Sequence, residues 1–156
     1  GNYLRDIEAE DFGAILIRFK NGAIGIVEGT ACVYPKNLEE TLSIFGADGC
    51  AVIGGLAVNR VQTWQFAKPA EQDKVVEKLA GTDPKDVYGS GHNALYANYI
   101  QAIRTNTQPL VSGYEGIKAM KIILAAYKSQ KTGKAVKFDN LSFASTDMRS
   151  ADVKVN

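Results

Sequence analysis

The sequence comes nearest to chemistry in the run Gly89-Ser90-Gly91-His92-Asn93-Ala94, which holds the only histidine of the chain. Small residues at this spacing fit the dinucleotide fingerprint, in which glycines let a pyrophosphate sit against a helix N-terminus. That motif also needs an apolar parallel strand immediately before it. Here Asp83 to Tyr88 is polar and contains Pro84, so the glycines are read as serving the helix entry instead. His92 then has two readings. It is either a polar residue of a first helical turn, bonded to backbone or water, or a substrate contact at a helix end that favours anions, with Asn93 beside it.

Tyr34, Lys36 and Asn37 form a second cluster around Pro35, and they read either as turn chemistry or as a ligand-facing loop at a sheet edge. Arg60 is a solvated sheet residue or an anion clamp. The remaining nucleophiles lack company. Ser90 and Ser112 have no nucleophile-elbow context, and one histidine near one serine is not a triad. One histidine also excludes a two-histidine metal site, and Cys32 with Cys50 lacks zinc-like spacing. Both cysteines fall in strand-like runs and are expected as free, buried thiols rather than as a disulfide. No catalytic residue and no metal ligand is therefore assigned, and no phosphate loop of the Walker kind occurs.

The elements that position these residues are legible from periodicity. Asp11 to Lys20 (DFGAILIRFK) is β-branched and aromatic, Asn21-Gly22 is a hairpin turn whose two positions tolerate positive φ, and Ala23 to Val33 is the returning strand. Both alternating sets are apolar, Ile15, Ile17 and Phe19 on one face and Ala14 and Leu16 on the other, so neither face is expected to be simply wet. Tyr34-Pro35 breaks the ladder, because Pro35 has no donor and restricts the residue before it. Strands follow at Glu39 to Gly46, Cys50 to Ile53 and Val58 to Phe66, with Arg60, Gln62 and Trp64 on one side of the last and a bulge or bend at Gly54-Gly55. Turns this short allow only an antiparallel meander.

Helices come next. Lys68 to Tyr88 is charged and reads as a surface excursion, with two marginal helical turns at Asp73 to Leu79. From Gly91, the stripe Leu95, Tyr96, Tyr99, Ile100 and Ile103 marks an amphipathic helix. A second helix opens at Ser112, whose hydroxyl and the Glu115 carboxylate form a reciprocal cap, carries Ile117, Met120, Ile123, Leu124 and Tyr127 on one stripe, and stops at Gly133. Ala135 to Phe138 is expected as a short strand, and residues 139 to 156 as an edge strand or frayed tail. The fold class is thus α+β: an open, predominantly antiparallel β-sheet with helices packed on one face.

Composition bounds the partners. With 156 residues, 18 basic and 17 acidic, the formal charge is +1 and offers no electrostatic reason for nucleic acid or an anionic membrane. No apolar run reaches membrane-spanning length and no leader pattern opens the chain, so a soluble, cytoplasmic protein is expected. GNYLRDIEAE has no clear period and begins abruptly, as a fragment of a longer chain would.

The runs DFGAILIRFKNGAIGIVEGT, YPKNLEETLSIFG, AVIGGLAVNRVQTWQF, HNALYANYIQAI and GYEGIKAMKIILAAYKSQKTGKAVKF together resemble the C-terminal domain of the Gfo/Idh/MocA oxidoreductases over nearly all of residues 9 to 138. YPKNLEETL and IGGLAVN are most similar to the branch that oxidises UDP-N-acetylglucosaminuronic acid at C3. The resemblance implies a two-domain NAD(P)-dependent parent with an N-terminal Rossmann domain, absent from this chain, that binds most of the cofactor. It implies that residues 1 to 138 are the substrate-binding and oligomerisation domain, with 139 to 156 a tail. The family's glycine fingerprint, its Glu-Lys-Pro segment with the catalytic lysine and its Asp-and-His motif are not found here, so the fragment alone is expected to be inactive and to hold no cofactor. Tyr34, Lys36, Asn37, His92 and, more weakly, Arg60 become the expected contacts to a sugar or nucleotide sugar, and the sheet face the expected homo-oligomer contact. The alternative is a non-catalytic, stand-alone ligand-binding or assembly module.

Overall fold

A computed structural model describes residues 1–78 and 91–148. In chain order its elements are β1 (Phe12–Arg18), β2 (Ile24–Thr30), β3 (Leu42–Gly46), β4 (Gly49–Gly54), β5 (Arg60–Phe66), α1 (Glu71–Lys78), α2 (Gly91–Thr105) and α3 (Gly113–Thr132), then 3-10 turns at Phe138–Asn140 and Ser145–Met148. All strand pairings are antiparallel, and the class is α+β with open sheets. The strands form two sheets, β1-β2 and β3-β4-β5, rather than one continuous meander. The chain divides into two compact units, Gly1–Cys32 with Gln108–Asn156, and Val33–Thr107. The excursion at 79–90, including Gly89-Ser90, and the tail at 149–156 lie outside the described residues.

In the first unit, β1 and β2 pair from Phe12↔Thr30 to Arg18↔Ile24. Their turn corrects the expected two-residue geometry. Only Gly22 has positive φ, at 91°, and the Gly22 N–H donates to the Phe19 carbonyl at 3.0 Å while the Phe19 N–H donates to the Ala23 carbonyl at 2.9 Å. This is the longer hairpin loop in which a glycine bulge follows an ordinary turn, and it asks for one left-handed residue instead of two. Ile15 and Ile17 are half-buried, whereas Leu16, Ile24 and Ile26 on the opposite face remain exposed.

α3 starts and stops where periodicity places it, but by different means at its two ends. Ser112 is the N-cap in extended geometry without a side-chain bond. The Glu115 N–H donates to the Ser112 backbone carbonyl at 3.0 Å, and the Glu115 carboxylate is taken by Lys118 at 2.6 Å, so the reciprocal cap is not formed. A cation one turn along competes for the same carboxylate. At the other end Gly133 has φ 65° and its N–H donates to the Ser129 carbonyl at 2.8 Å, the left-handed stop that was expected. The expected strand at 135–138 is not formed. No described strand pairs with it, Phe138 opens a 3-10 turn, and Asp139 is instead paired with Lys20 at 2.8 Å.

In the second unit, β3 pairs with β4 and β4 with β5. β5 carries an extra residue. Arg60 lies opposite Gly54 and Trp64 opposite Ala51, so four steps on β5 match three on β4, and the register shift falls beside Val52 and Ile53. Arg60 and Trp64 therefore occupy opposite faces, which corrects the expected shared side, because a bulge reverses the alternation. Leu42, Ile44, Ala51, Ile53, Trp64 and Phe66 line one face of this sheet around a groove of about 530 Å³. α1 packs on β5, with the Trp64 indole N–H donating to the Asp73 carboxylate at 3.0 Å. α1 thus exceeds its marginal apolar face because a cross-element hydrogen bond holds it. Cys32, just past β2, and Cys50, in β4, are free but only half-buried.

Candidate functional site

All five sequence-selected contacts, Tyr34, Lys36, Asn37, Arg60 and His92, lie in the second unit and all are exposed. Residues 33–41 precede the first β3–β4 pair, Leu42↔Ile53. Pro35 supplies no N–H, and the Tyr34-Pro35 peptide is cis. Tyr34 is 92% exposed, so its phenol is presented to solvent rather than packed. The stretch is fastened downstream, where the Glu40 N–H donates to the Gly55 carbonyl at 2.8 Å.

That bond fixes where the stretch joins the sheet. β3 begins at Leu42, opposite Ile53, β4 ends at Gly54, and β5 begins at Arg60, opposite Gly54. The turn between them contains Gly55, with φ 96°, and Val58, with φ 50°, and is tied by the Asn59 side chain accepting from the Ala57 N–H at 3.4 Å. Glu40, three residues past Asn37, and Arg60 consequently belong to one end of the three-stranded sheet. A phenol, an ammonium, a carboxamide and a guanidinium offer hydrogen-bond donors and positive charge, a set suited to a hydroxyl-rich or anionic ligand. His92 is the second residue of α2, and its ring lies 6.4 Å from that of Tyr96, one helical turn on. Among the described residues, that ring is the contact found for His92.

Sequence periodicity missed the one buried charged group among the described residues. Asp11, directly before β1, is 1% exposed. Its carboxylate accepts from the backbone N–H of Tyr3 at 2.9 Å, Leu4 at 2.6 Å and Arg5 at 2.8 Å. Burial raises its pKa and is the largest single influence, yet the three N–H donors and the Cys32 thiol together hold it well below the ordinary carboxylate range. A signal existed in the sequence: an aspartate ending a polar segment at the mouth of an apolar strand is a turn-former. Nearby, the Tyr127 hydroxyl donates to the Glu10 carboxylate, which lowers the pKa of Glu10 and raises that of Tyr127. Among the described residues no group of three or more His, Cys, Asp or Glu side chains could hold a metal ion, and no helix is long and apolar enough to cross a membrane.

The sequence profile of the oxidoreductase family, C-terminal alpha/beta domain (GFO_IDH_MocA_C), matches residues 2–138. The chain belongs to the Gfo/Idh/MocA family as its C-terminal domain. Among solved structures it is similar to the WlbA dehydrogenase from Bordetella pertussis in complex with NADH and UDP-GlcNAcA, at 35% identity and a TM-score of 0.70 over 83% of this chain and 35% of that one. It is likewise similar to the WlbA dehydrogenase from Chromobacterium violaceum, also in complex with NADH and UDP-GlcNAcA, at 34% identity and a TM-score of 0.71 over the same shares. This Gfo/Idh/MocA domain thus spans about a third of the length of the solved relatives it matches. A comparison with curated proteins gave no match.

Proposed function

We propose that this domain is the substrate-binding and oligomerisation part of an NAD(P)-dependent nucleotide-sugar oxidoreductase, whose whole chain moves a hydride between a nicotinamide cofactor and a sugar hydroxyl. The observation that carries the reading is the likeness, at 34–35% identity, to two dehydrogenases solved with NADH and UDP-GlcNAcA. The donor set of the candidate site supports it. Lys36 and Arg60 would meet the anionic groups of such a substrate, Tyr34 and Asn37 its hydroxyls, and His92 a further polar group. Their work is positioning: a sugar held in register with a hydride acceptor needs fixed geometry more than extra affinity.

The cofactor is assigned to the part of the parent beyond this chain. A dinucleotide cradle is built where a parallel strand turns into a helix. Every strand pairing among the described residues is antiparallel, so these residues do not fit that group. The sheet faces supply the oligomer contact, and residues 139–148 follow the domain as a tail with a short 3-10 turn at Ser145–Met148.

The test is steady-state oxidation of UDP-GlcNAcA by the full-length protein, followed by NADH absorbance, with a Tyr34→Ala/Lys36→Ala/Asn37→Ala variant beside it. Three lost contacts at roughly 1 kcal/mol each predict a rise in sugar KM on the order of a hundredfold, with the KM for NAD unmoved. A variant with unchanged sugar KM and kcat removes these residues from the site. A full-length protein that reduces no NAD with any nucleotide sugar removes the activity.

A further inference from the structure

Asn21-Gly22 is the one Asn-Gly pair in the chain, and it stands at the tip of the β1-β2 hairpin. Both residues and their neighbours from Phe19 to Ile24 are exposed. The Asn21 side chain is folded back along the main chain, because its Oδ1 accepts from the Ala23 N–H at 3.1 Å. A carboxamide bonded two residues ahead lies over the peptide nitrogen between, which is that of Gly22. Gly22 gives this nitrogen no cover: it lacks a Cβ, and no atom lies within 4 Å of where one would stand. The restraint found on the nitrogen is its N–H bond to the Phe19 carbonyl at 3.0 Å, at an exposed loop tip where such bonds open readily.

An electrophilic carbonyl carbon, a nucleophilic nitrogen and a donor to the carbonyl oxygen thus meet between Asn21 and Ala23. We propose that Asn21 is a site of spontaneous deamidation, reacting through a cyclic imide with Gly22. The Gly22 amide gives its proton to solvent base, and its nitrogen lone pair forms a bond to Asn21 Cγ. The π electrons of the carbonyl move to Oδ1, where the Ala23 N–H faces the developing negative charge. Collapse breaks the Cγ–Nδ2 bond, and Nδ2 takes up a proton and leaves as ammonia. A solvent water then opens the ring: attack at Cγ leaves aspartate, and attack at the Asn21 backbone carbonyl leaves isoaspartate. Nothing is oxidised or reduced, and water is the sole co-reactant. Either product adds a negative charge next in sequence to Lys20, whose ammonium otherwise pairs with Asp139 at 2.8 Å. Isoaspartate also routes the main chain through its β-carbon. It lengthens the loop closed by the Phe19–Ala23 and Gly22–Phe19 bonds, so those bonds yield.

The test ages folded, full-length wild type in mildly alkaline buffer and follows tryptic peptide 21–36 by mass spectrometry, since this peptide holds no other asparagine or glutamine. Exposed Asn37, followed by Leu38, is the internal control. Asn21 is expected to exchange –NH2 for –OH at least about tenfold faster than Asn37, where a side chain screens the next nitrogen. Conversion is expected to quicken as pH rises, because the attacking nitrogen must shed its proton, and to give aspartate and isoaspartate as two peptides of equal mass. Asn21→Gln, whose extra methylene enlarges the ring to be closed, is expected to stay unconverted over the same period. Hydrogen exchange at Phe19 is expected to quicken about tenfold in aged wild type and to stay unchanged in aged Asn21→Gln. Asn21 converting no faster than Asn37, or converting only after urea has unfolded the protein, overturns the proposal. A product free of isoaspartate overturns the imide route, and unchanged exchange at Phe19 in converted protein overturns the claim on the loop.

Discussion

Replacing Ile26 by aspartate tests the proposed oligomer contact most directly. Ile26 pairs with Leu16 across the hairpin, and on the same face stands Ile24; the three are 77%, 75% and 61% exposed. Burying an aliphatic side chain completely is worth about 1.5–3 kcal/mol, so covering the remaining three-quarters of Ile26 contributes roughly 1–2 kcal/mol. A two-fold interface counts the residue twice, which makes the loss roughly 2–4 kcal/mol before any penalty for a buried carboxylate. At about 1.4 kcal/mol per decade, the dissociation constant is expected to rise roughly 30- to 1,000-fold. Sedimentation equilibrium of full-length wild type and Ile26→Asp reads this, with circular dichroism confirming that the hairpin survives. A wild type that stays monomeric at its highest soluble concentration, or a variant with an unaltered dissociation constant, refutes the reasoning.

Gly133→Ala places a Cβ where φ is 65° but where no atom lies within 4 Å, so its cost is conformational alone. It is expected to lower unfolding free energy by about 1 kcal/mol in urea titrations, without a change in slope. The α1 contact should respond to acid. Asp73 accepts from the Ala70 N–H and the Trp64 indole, and these bonds, the first the stronger influence, hold its pKa below the ordinary range against the opposing effect of burial. A depressed carboxylate stabilises at pH above its unfolded value, about 3.9, and that contribution is lost as pH falls through the lower folded value. Emission from the single tryptophan should therefore be steady down to about pH 4 and shift to the red below it, and Asp73→Asn should show the shifted spectrum at neutral pH.

Local signals were legible wherever one residue type settles the geometry. Gly22 served the first hairpin's turn and Gly133 stopped α3, each through a backbone constraint that needs no partner, whereas β2 ends at Thr30, ahead of the expected break at Tyr34-Pro35. The errors arose where a distant partner decides. Ser112 looked like a capping serine, but Lys118 had taken the Glu115 carboxylate on which the reciprocal bond depends. The alternation of Arg60, Gln62 and Trp64 was readable, while the extra residue that reverses it is visible only against β4. Residues 135–138 carry a strand-like composition, yet a strand exists only with a neighbour, and none was available to them among the described residues. At the candidate site, residue types pointed to Tyr34, Lys36, Asn37 and Arg60, and the Glu40–Gly55 bond that fastens the stretch just after Asn37 could not be inferred from type. Asp11 escaped for the same reason: its importance lies in three N–H groups six to eight residues upstream, and no hydrophobic period registers a carboxylate–backbone bond.

The burial pattern argues further for a domain that works in company. Among the described residues, Ala102 is the one apolar side chain that is buried, while Leu95, Tyr96, Tyr99, Ile100 and Ile103 stay exposed along the very helix that carries it. A helix of 15 residues is marginal in water by propensity alone and draws its stability from a covered apolar face. Contiguous exposed patches of this kind mark interaction surfaces. The stripe on α2 and the Leu16–Ile26 face are the exposed apolar surfaces that the proposed oligomer contact would draw on. If so, truncating the protein to this chain should weaken α2 before it weakens β3-β4-β5, whose strands are joined by a full ladder.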